Sequence, residues 1–209
     1  MPIFRIRPGR GLLGAAVVFG LAACASPKTL TDVQVTPTQN HAIFSENWSD
    51  SAPAELAACK FQLVALTDAR RNRSDIGVHG SRRYVLDSPL GWVRETLLAI
   101  PTVSDETGRP TQGELLRLGV QGHSKTTSRT ITIAIRLRIE SSERDTVLVA
   151  RGSDTSVNWA GEAEEINESL DRAASDLQQQ VLREIRQLPD CMGQSPTAKL
   201  YDAPDHATR

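Results

Sequence analysis

From Thr130 to Glu140 the chain alternates without a break. Ile131, Ile133, Ile135, Leu137 and Ile139 fall on one side, and Thr130, Thr132, Ala134, Arg136, Arg138 and Glu140 fall on the other. A period of two held this long describes a strand with one buried face and one wet face. The isoleucine-rich face must be covered, so every other element is constrained by the need to pack against it. Ser141-Ser142-Glu143-Arg144-Asp145 is turn material, and Thr146 to Val157 returns as the partner strand of an antiparallel hairpin.

The covering elements are legible on either side. Between Glu162 and Leu188, the residues Ile166, Leu170, Ala173, Leu177, Val181, Ile185 and Leu188 recur at three- and four-residue spacing, the apolar stripe of an amphipathic helix. Glu162, Glu164 and Glu165 open it and Arg183 and Arg186 close it, matching the helix dipole; Pro189 ends it. A shorter helix opens at Ser88-Pro89, with Ser88 as N-cap, gathers Trp92, Val93, Leu97, Leu98 and Ile100, and stops at Pro101. Lys60 to Thr67 is apolar on both faces, as a central strand would be. Arg83 to Leu86 and Leu115 to His123 supply further strands. The order strand, helix, three strands, helix predicts an α+β domain. Its expected form is a two-layer sandwich with a mainly antiparallel sheet and both helices on one face.

The amino-terminal region sets the location. Arg5, Arg7 and Arg10 precede an apolar run from Gly11 to Ala23, which at 13 residues is too short to span a bilayer as a helix. Leu21-Ala22-Ala23-Cys24 then closes it. This run resembles the lipobox of bacterial lipoproteins, which implies diacylation of the Cys24 thiol, cleavage before it and acylation of the new amino terminus. Ala25 stands where an aspartate would retain such a protein in the inner membrane, so the resemblance implies the periplasmic face of the outer membrane. An ordinary secretory signal with an incidental cysteine is the alternative. Residues 1–23 are thus read as a signal peptide and 24–54 as an acylated cysteine with a flexible tether. Residues 55–191 are read as one α+β domain and 192–209 as a disordered tail. Within the tether, Asp32 to Val35 is one short extended piece, and Ile43, Phe44 and Trp48 form either a segment lying on the domain or a partner-binding motif.

Removing residues 1–23 takes three arginines with it and leaves 21 basic against 25 acidic residues, a net charge of −4. That balance argues against nucleic acid as a partner. Cys59 and Cys191 remain as an even pair flanking the domain, in a compartment that oxidises thiols, and read as a disulfide; two free thiols are the alternative.

The lipobox, the strand ending in Asp68-Ala69-Arg70, Gly77, the first helix with Trp92, the three-strand meander and the long final helix together resemble the YajG-like bacterial lipoproteins. The plan is also similar to the auxiliary lipoproteins of ABC-type transport systems. The resemblance implies an outer-membrane-anchored periplasmic protein and supplies no catalytic residues.

No catalytic or cofactor-binding constellation is evident. His41, His79, His123 and His206 are scattered, with no metal-ligand spacing. There is no nucleophile elbow, and Gly77-Val78-His79-Gly80 lacks the lysine of a phosphate loop. Two sets of residues are candidates for binding an anion or a partner. Arg70, Arg71, Arg73, Arg82 and Arg83 lie near the end of the central strand beside Asp68, either as an anion site or as a solvated loop in which Asp68 pairs with Arg70. Thr130, Thr132, Arg136 and Arg138, flanked by Trp159, form the wet sheet face. The leading expectation is a non-enzymatic lipoprotein that reaches the membrane through its lipid and binds a protein partner in the envelope. The rivals are an enzyme acting on envelope polymers, with Asp68, His79 and His123 around a pocket, and a carrier of lipids or small molecules with an apolar cavity.

Overall fold

The computed structural model describes residues 29–37, 59–122, 128–141, 144–157 and 160–192. Cys24, the Ile43–Trp48 segment, His41, His123, Trp159, His206 and the tail beyond Met192 lie outside them. The described chain is α+β. In order it forms β1 (Thr31–Val35), β2 (Phe61–Asp68), β3 (Gly77–His79), β4 (Arg82–Leu86) and α1 (Pro89–Leu98). There follow β5 (Val103–Ser104), β6 (Arg109–Gly122), β7 (Arg129–Ile139), β8 (Thr146–Ser156), α2 (Ala163–Arg186) and the single turn α3 (Pro189–Met192).

The strands form two mixed sheets, where one mainly antiparallel sheet was expected. One sheet runs β5-β2-β6-β7-β8 and the other β1-β4-β3. The difference comes from α1. A chain that leaves β2 and crosses back through a helix returns in the same direction. Both β5 and β6 accordingly pair parallel with β2. Only the β6-β7-β8 part is the antiparallel meander that alternation and short turns dictate. The extended piece at Asp32–Val35 is a sheet strand, not free tether: β1 pairs parallel with β4, and Val35 is fully buried. β3 and β5 went unforeseen because two or three residues carry no readable period.

The core forms where the expected faces meet. Ile131, Ile133, Ile135, Leu137 and Ile139 are buried together with Ile166, Leu170, Ala173, Leu177, Val181 and Ile185 of α2 and Trp92, Val93 and Leu97 of α1. The two helices are joined by Gln178 Nε2, which donates to the Thr96 carbonyl at 2.7 Å and so satisfies a buried amide. Glu165 Oε2 accepts from the backbone N–H of Gly161 (2.8 Å) and of Glu162 (3.3 Å), closing the open end of α2. Ser88 stands at the N-cap of α1 but makes no side-chain capping bond; Pro89 at the first turn sets the helix direction instead.

Helix α2 approaches β8 closely at Gly152. A Cβ there would lie 2.1 Å from the Ala173 carbonyl and 2.4 Å from the Leu177 nitrogen. These are helix backbone atoms, which cannot swing aside, so α2 lies this near the sheet only because residue 152 has no side chain. Cys59 and Cys191 are disulfide-bonded across 132 residues with a Cα–Cα distance of 5.7 Å, tying the start of β2 to α3.

Gly152→Ala is expected to destabilise the fold by about 2–3 kcal/mol, in the upper part of the overpacking range, because backbone rather than a side chain must move. A urea unfolding midpoint unchanged from the parent chain would contradict this. Replacing both Cys59 and Cys191 with alanine is expected to cost about 2–5 kcal/mol, mostly by releasing the unfolded chain from a long loop. Urea titrations of the oxidised parent and the double variant measure the difference.

Candidate functional site

The outer face of the five-stranded sheet, opposite the isoleucines, carries the most developed surface feature. Cross-strand register lines up Thr67, Glu114, Arg136 and Val149 in one row and Ala65, Gln112, Arg138 and Val147 in the next. Between them lies an open groove of about 500 Å³, floored by Gly113 and bounded on one side by Asp145. Arg136 Nη1 donates to Glu114 Oε2 at 2.7 Å, and Arg138 donates to Asp145 Oδ2 through Nε (2.9 Å) and Nη2 (2.7 Å). Between and beside these pairs stand exposed aliphatics. Val147 and Val149 are 54% and 59% exposed, and Val64, displaced outward by a bulge between Leu63 and Ala65, is 49% exposed.

The arginines of this face are held in exposed pairs that set their direction. Exposed pairs of this kind contribute only about 0.2–1 kcal/mol each to stability. What they do is keep charge beside uncovered valines. Thr132 departs from expectation: it is buried, not wet. Gly119 faces it across the ladder, and a Cβ there would come within 3.4 Å of the Ile76 carbonyl. The chain entering β3 thus closes that end of the face. Thr130 keeps a partner in Thr155, hydroxyl to hydroxyl at 2.9 Å.

The arginine-rich loop resolves into structural contacts. Arg70 is buried and grips Asp68 with Nε to Oδ1 at 2.9 Å and Nη2 to Oδ2 at 2.8 Å. The Arg70 hydrogen bonds hold the Asp68 carboxyl below its ordinary range. Of the other two in that loop, Arg73 reaches back to the Arg70 carbonyl (3.4 Å), and Arg71 and Arg73 are both exposed. Arg82 donates to Glu162 Oε1 and the Gly161 carbonyl at the start of α2, and Arg83 grips Asp32 of β1. Arg70, Arg73, Arg82 and Arg83 thus reach different partners, and Arg71 is exposed.

Of the residues named for an enzymatic pocket, Asp68 and His79 are engaged with neighbours, and His123 lies outside the described residues. Asp68 belongs to Arg70. Arg129 Nη2 lies 2.6 Å from His79 Nε2. Because a guanidinium only donates, that ring nitrogen accepts and His79 is neutral with its proton on Nδ1. Desolvation, then the charges of Arg129 and Arg82, hold its pKa below the ordinary 6.5. On the far side of β8, burial would raise the Asp154 pKa, but hydrogen bonds from Arg172, Ser169 and Ser156 outweigh it and hold the carboxyl low. Among the described residues, no group of three or more His, Cys, Asp or Glu is placed to hold a metal ion. The apolar void between helices and sheet, lined by Phe61, Leu97, Val103 and Ile185 among others, is about 10 Å³, room for one water at most.

Sequence reasoning singled out Arg136 and Arg138 but missed Glu114, Asp145, Val147 and Val149. Glu114 precedes the stretch read as a strand, and its relation to Arg136 depends on a register that a bulge near Leu116 shifts. The outward parity of Val147 and Val149 could have been read from the alternation of Leu148 and Ala150.

No family model matches the chain, and no curated protein matches it. The expected resemblance to the YajG-like lipoproteins gains no support from these comparisons. Among solved structures, a crystal structure of an uncharacterised protein aligns with 75% of this chain and 99% of its own length, at 10% identity and a TM-score of 0.43. A "putative lipoprotein" from Caulobacter crescentus CB15 aligns over 63% of this chain and 90% of its own length, at 11% identity and a TM-score of 0.33. At such low identity and TM-score, neither likeness says what this chain does.

The neutral state of His79 predicts a pH dependence. Its folded pKa is depressed, so the unfolded chain takes up a proton first. The stability contributed by the neutral ring is present above 6.5 and is lost as pH falls through that value toward the lower folded pKa. His79→Gln should flatten stability over this window, while the loss below 3.8 that depends on Asp68 and Asp154 should persist. Unfolding midpoints measured against pH for both chains check this; parallel curves near neutrality would contradict it.

Proposed function

We propose that this chain is a lipoprotein of the bacterial cell envelope, acylated on Cys24 and held at the periplasmic face of the outer membrane. It acts there by binding a protein partner rather than by catalysis. The observation that carries the reading is Leu21-Ala22-Ala23-Cys24 closing a short apolar run behind Arg5, Arg7 and Arg10. Three acyl chains at about 0.8 kcal/mol per buried methylene make such an anchor durable.

Binding is supported by the outer sheet face, where exposed valines stand among fixed ion pairs. In this reading the body is a two-layer sandwich: both helices cover one face of the five-stranded sheet, and the other face is left for a partner. Asp68, His79, Arg136 and Arg138 are each engaged with a neighbouring side chain, which favours recognition over acid–base chemistry.

Metabolic labelling with palmitate is expected to mark the parent chain, and Cys24→Ser to abolish both the label and membrane retention. A photo-crosslinker at Gln112, within the groove, should capture a specific envelope protein in intact cells. An unlabelled parent chain sinks the anchor. Failure to capture any specific partner from Gln112 sinks the assigned role of the face while leaving the anchor standing.

A further inference from the structure

β8 ends the five-stranded sheet on one side, and two hydrogen bonds fix where its backbone groups point. Glu140 N–H leaves the end of β7 toward the Pro110 carbonyl beside β6, at 2.9 Å. Even-numbered residues of β7 therefore bond to β6 and odd-numbered ones to β8, where their partners are Thr146, Leu148, Ala150, Gly152 and Asp154. Ser153 has the opposite parity: its N–H turns away from β7 and donates to Asp176 Oδ2 of α2 at 2.9 Å. Val147, Val149 and Arg151 share that outward parity. Among the described residues, none supplies a backbone partner to their N–H or C=O groups outside the strand ladders.

The helix guards only part of this edge. Asp176 covers it at Ser153, and α2 then crosses inward until Ile185 stands over Phe61, Leu137 and Ile139. The first half of β8 is left with two exposed valines and no proline, bulge or lysine, the devices that ordinarily discourage strand addition.

We propose that this edge is the dimer interface of the protein: two copies pair antiparallel through Val147–Arg151 and join their sheets into one. A twofold axis at Val149 sets that residue against its own counterpart and Val147 against Arg151. All outward N–H and C=O groups of these residues then find partners. The axis closes the assembly at two, whereas a parallel arrangement would leave an edge open for further addition. Side-chain chemistry matches the same register. The exposed faces of Val149 meet at the axis. Arg151, whose one described side-chain contact is a long 3.5 Å approach to Thr132 Oγ1, comes diagonal to Asp145 of the second copy. Diagonal neighbours across a strand pair lie within reach of a long side chain. The inference does not depend on the proposed function, since the edge is the same whether or not the chain is acylated.

The test uses the full chain in its native membranes. Val149→Cys should form a disulfide-linked dimer under mild oxidation several-fold faster than Val64→Cys, which is comparably exposed but lies on β2, separated from β8 by β6 and β7. Paired strands bring facing Cα atoms to about 5.5 Å, within disulfide range. Val147→Cys should cross-link with Arg151→Cys in mixed populations and poorly with itself. After detergent extraction, the parent should sediment as a dimer and Val149→Lys, which sets like charges against each other at the axis, as a monomer. Circular dichroism of Val149→Lys should match the parent, since the side chain is exposed in the single chain, while its urea midpoint should fall only by what dimerisation adds to the parent. A monomeric parent, or Val149→Cys cross-linking no faster than Val64→Cys, overturns the proposal. So does capture of a different protein at Val149→Cys in place of a second copy.

Discussion

The architecture depends on how near α2 can come to β8. At Gly152 the helix backbone of Ala173 and Leu177 occupies the space a side chain would need. That approach lets Ile166, Leu170, Leu177 and Val181 reach down into the row of isoleucines on β7 and exclude water from both. It also brings the polar side of the helix to the sheet margin, where Asp176 meets the Ser153 amide and Arg172 meets Asp154. Packing density and edge protection thus follow from one missing methyl group.

The second sheet shares the core through Val35 and Tyr84, both fully buried, and is fastened further by polar contacts. Arg82 of β4 holds the start of α2 through Glu162 and the Gly161 carbonyl, and Tyr84 donates its hydroxyl to that same carbonyl at 3.3 Å. β1 is held through Arg83 and Asp32, and Thr36 N–H donates to Asn167 Oδ1 of α2 at 3.0 Å. The disulfide instead ties the start of β2, in the five-stranded sheet, to α3. Among the described residues, Arg82, Arg83, Arg136 and Arg172 serve as struts between elements. Of the two readings of the arginine-rich stretch, the one in which Asp68 pairs with Arg70 is present.

Elements whose own residues declare a period were legible. The β7-β8 hairpin, α1 and α2 stand within a few residues of their expected limits because burial repeats along them. The parallel placement of β2 beside β6 was not legible, although both strands were. It turns on the direction in which α1 carries the chain back, and no residue in either strand records that. The same holds for the groove: Arg136 and Arg138 were read as outward-facing, but Glu114 and Asp145 come to them only through the register of three strands and two bulges.

By itself, the sequence determined local periodicity and local chemistry: an alternating strand, an amphipathic helix, a pair of cysteines bracketing the domain, and a lipobox-like run at Cys24. Each depends on neighbours within a few positions, or on residue type alone. Tertiary structure alone decided that Thr132 is buried and that half of β8 is left uncovered. These outcomes depend on which distant segments arrive beside a residue. That is set by crossing direction and closest approach, properties of the assembled chain rather than of any stretch of it.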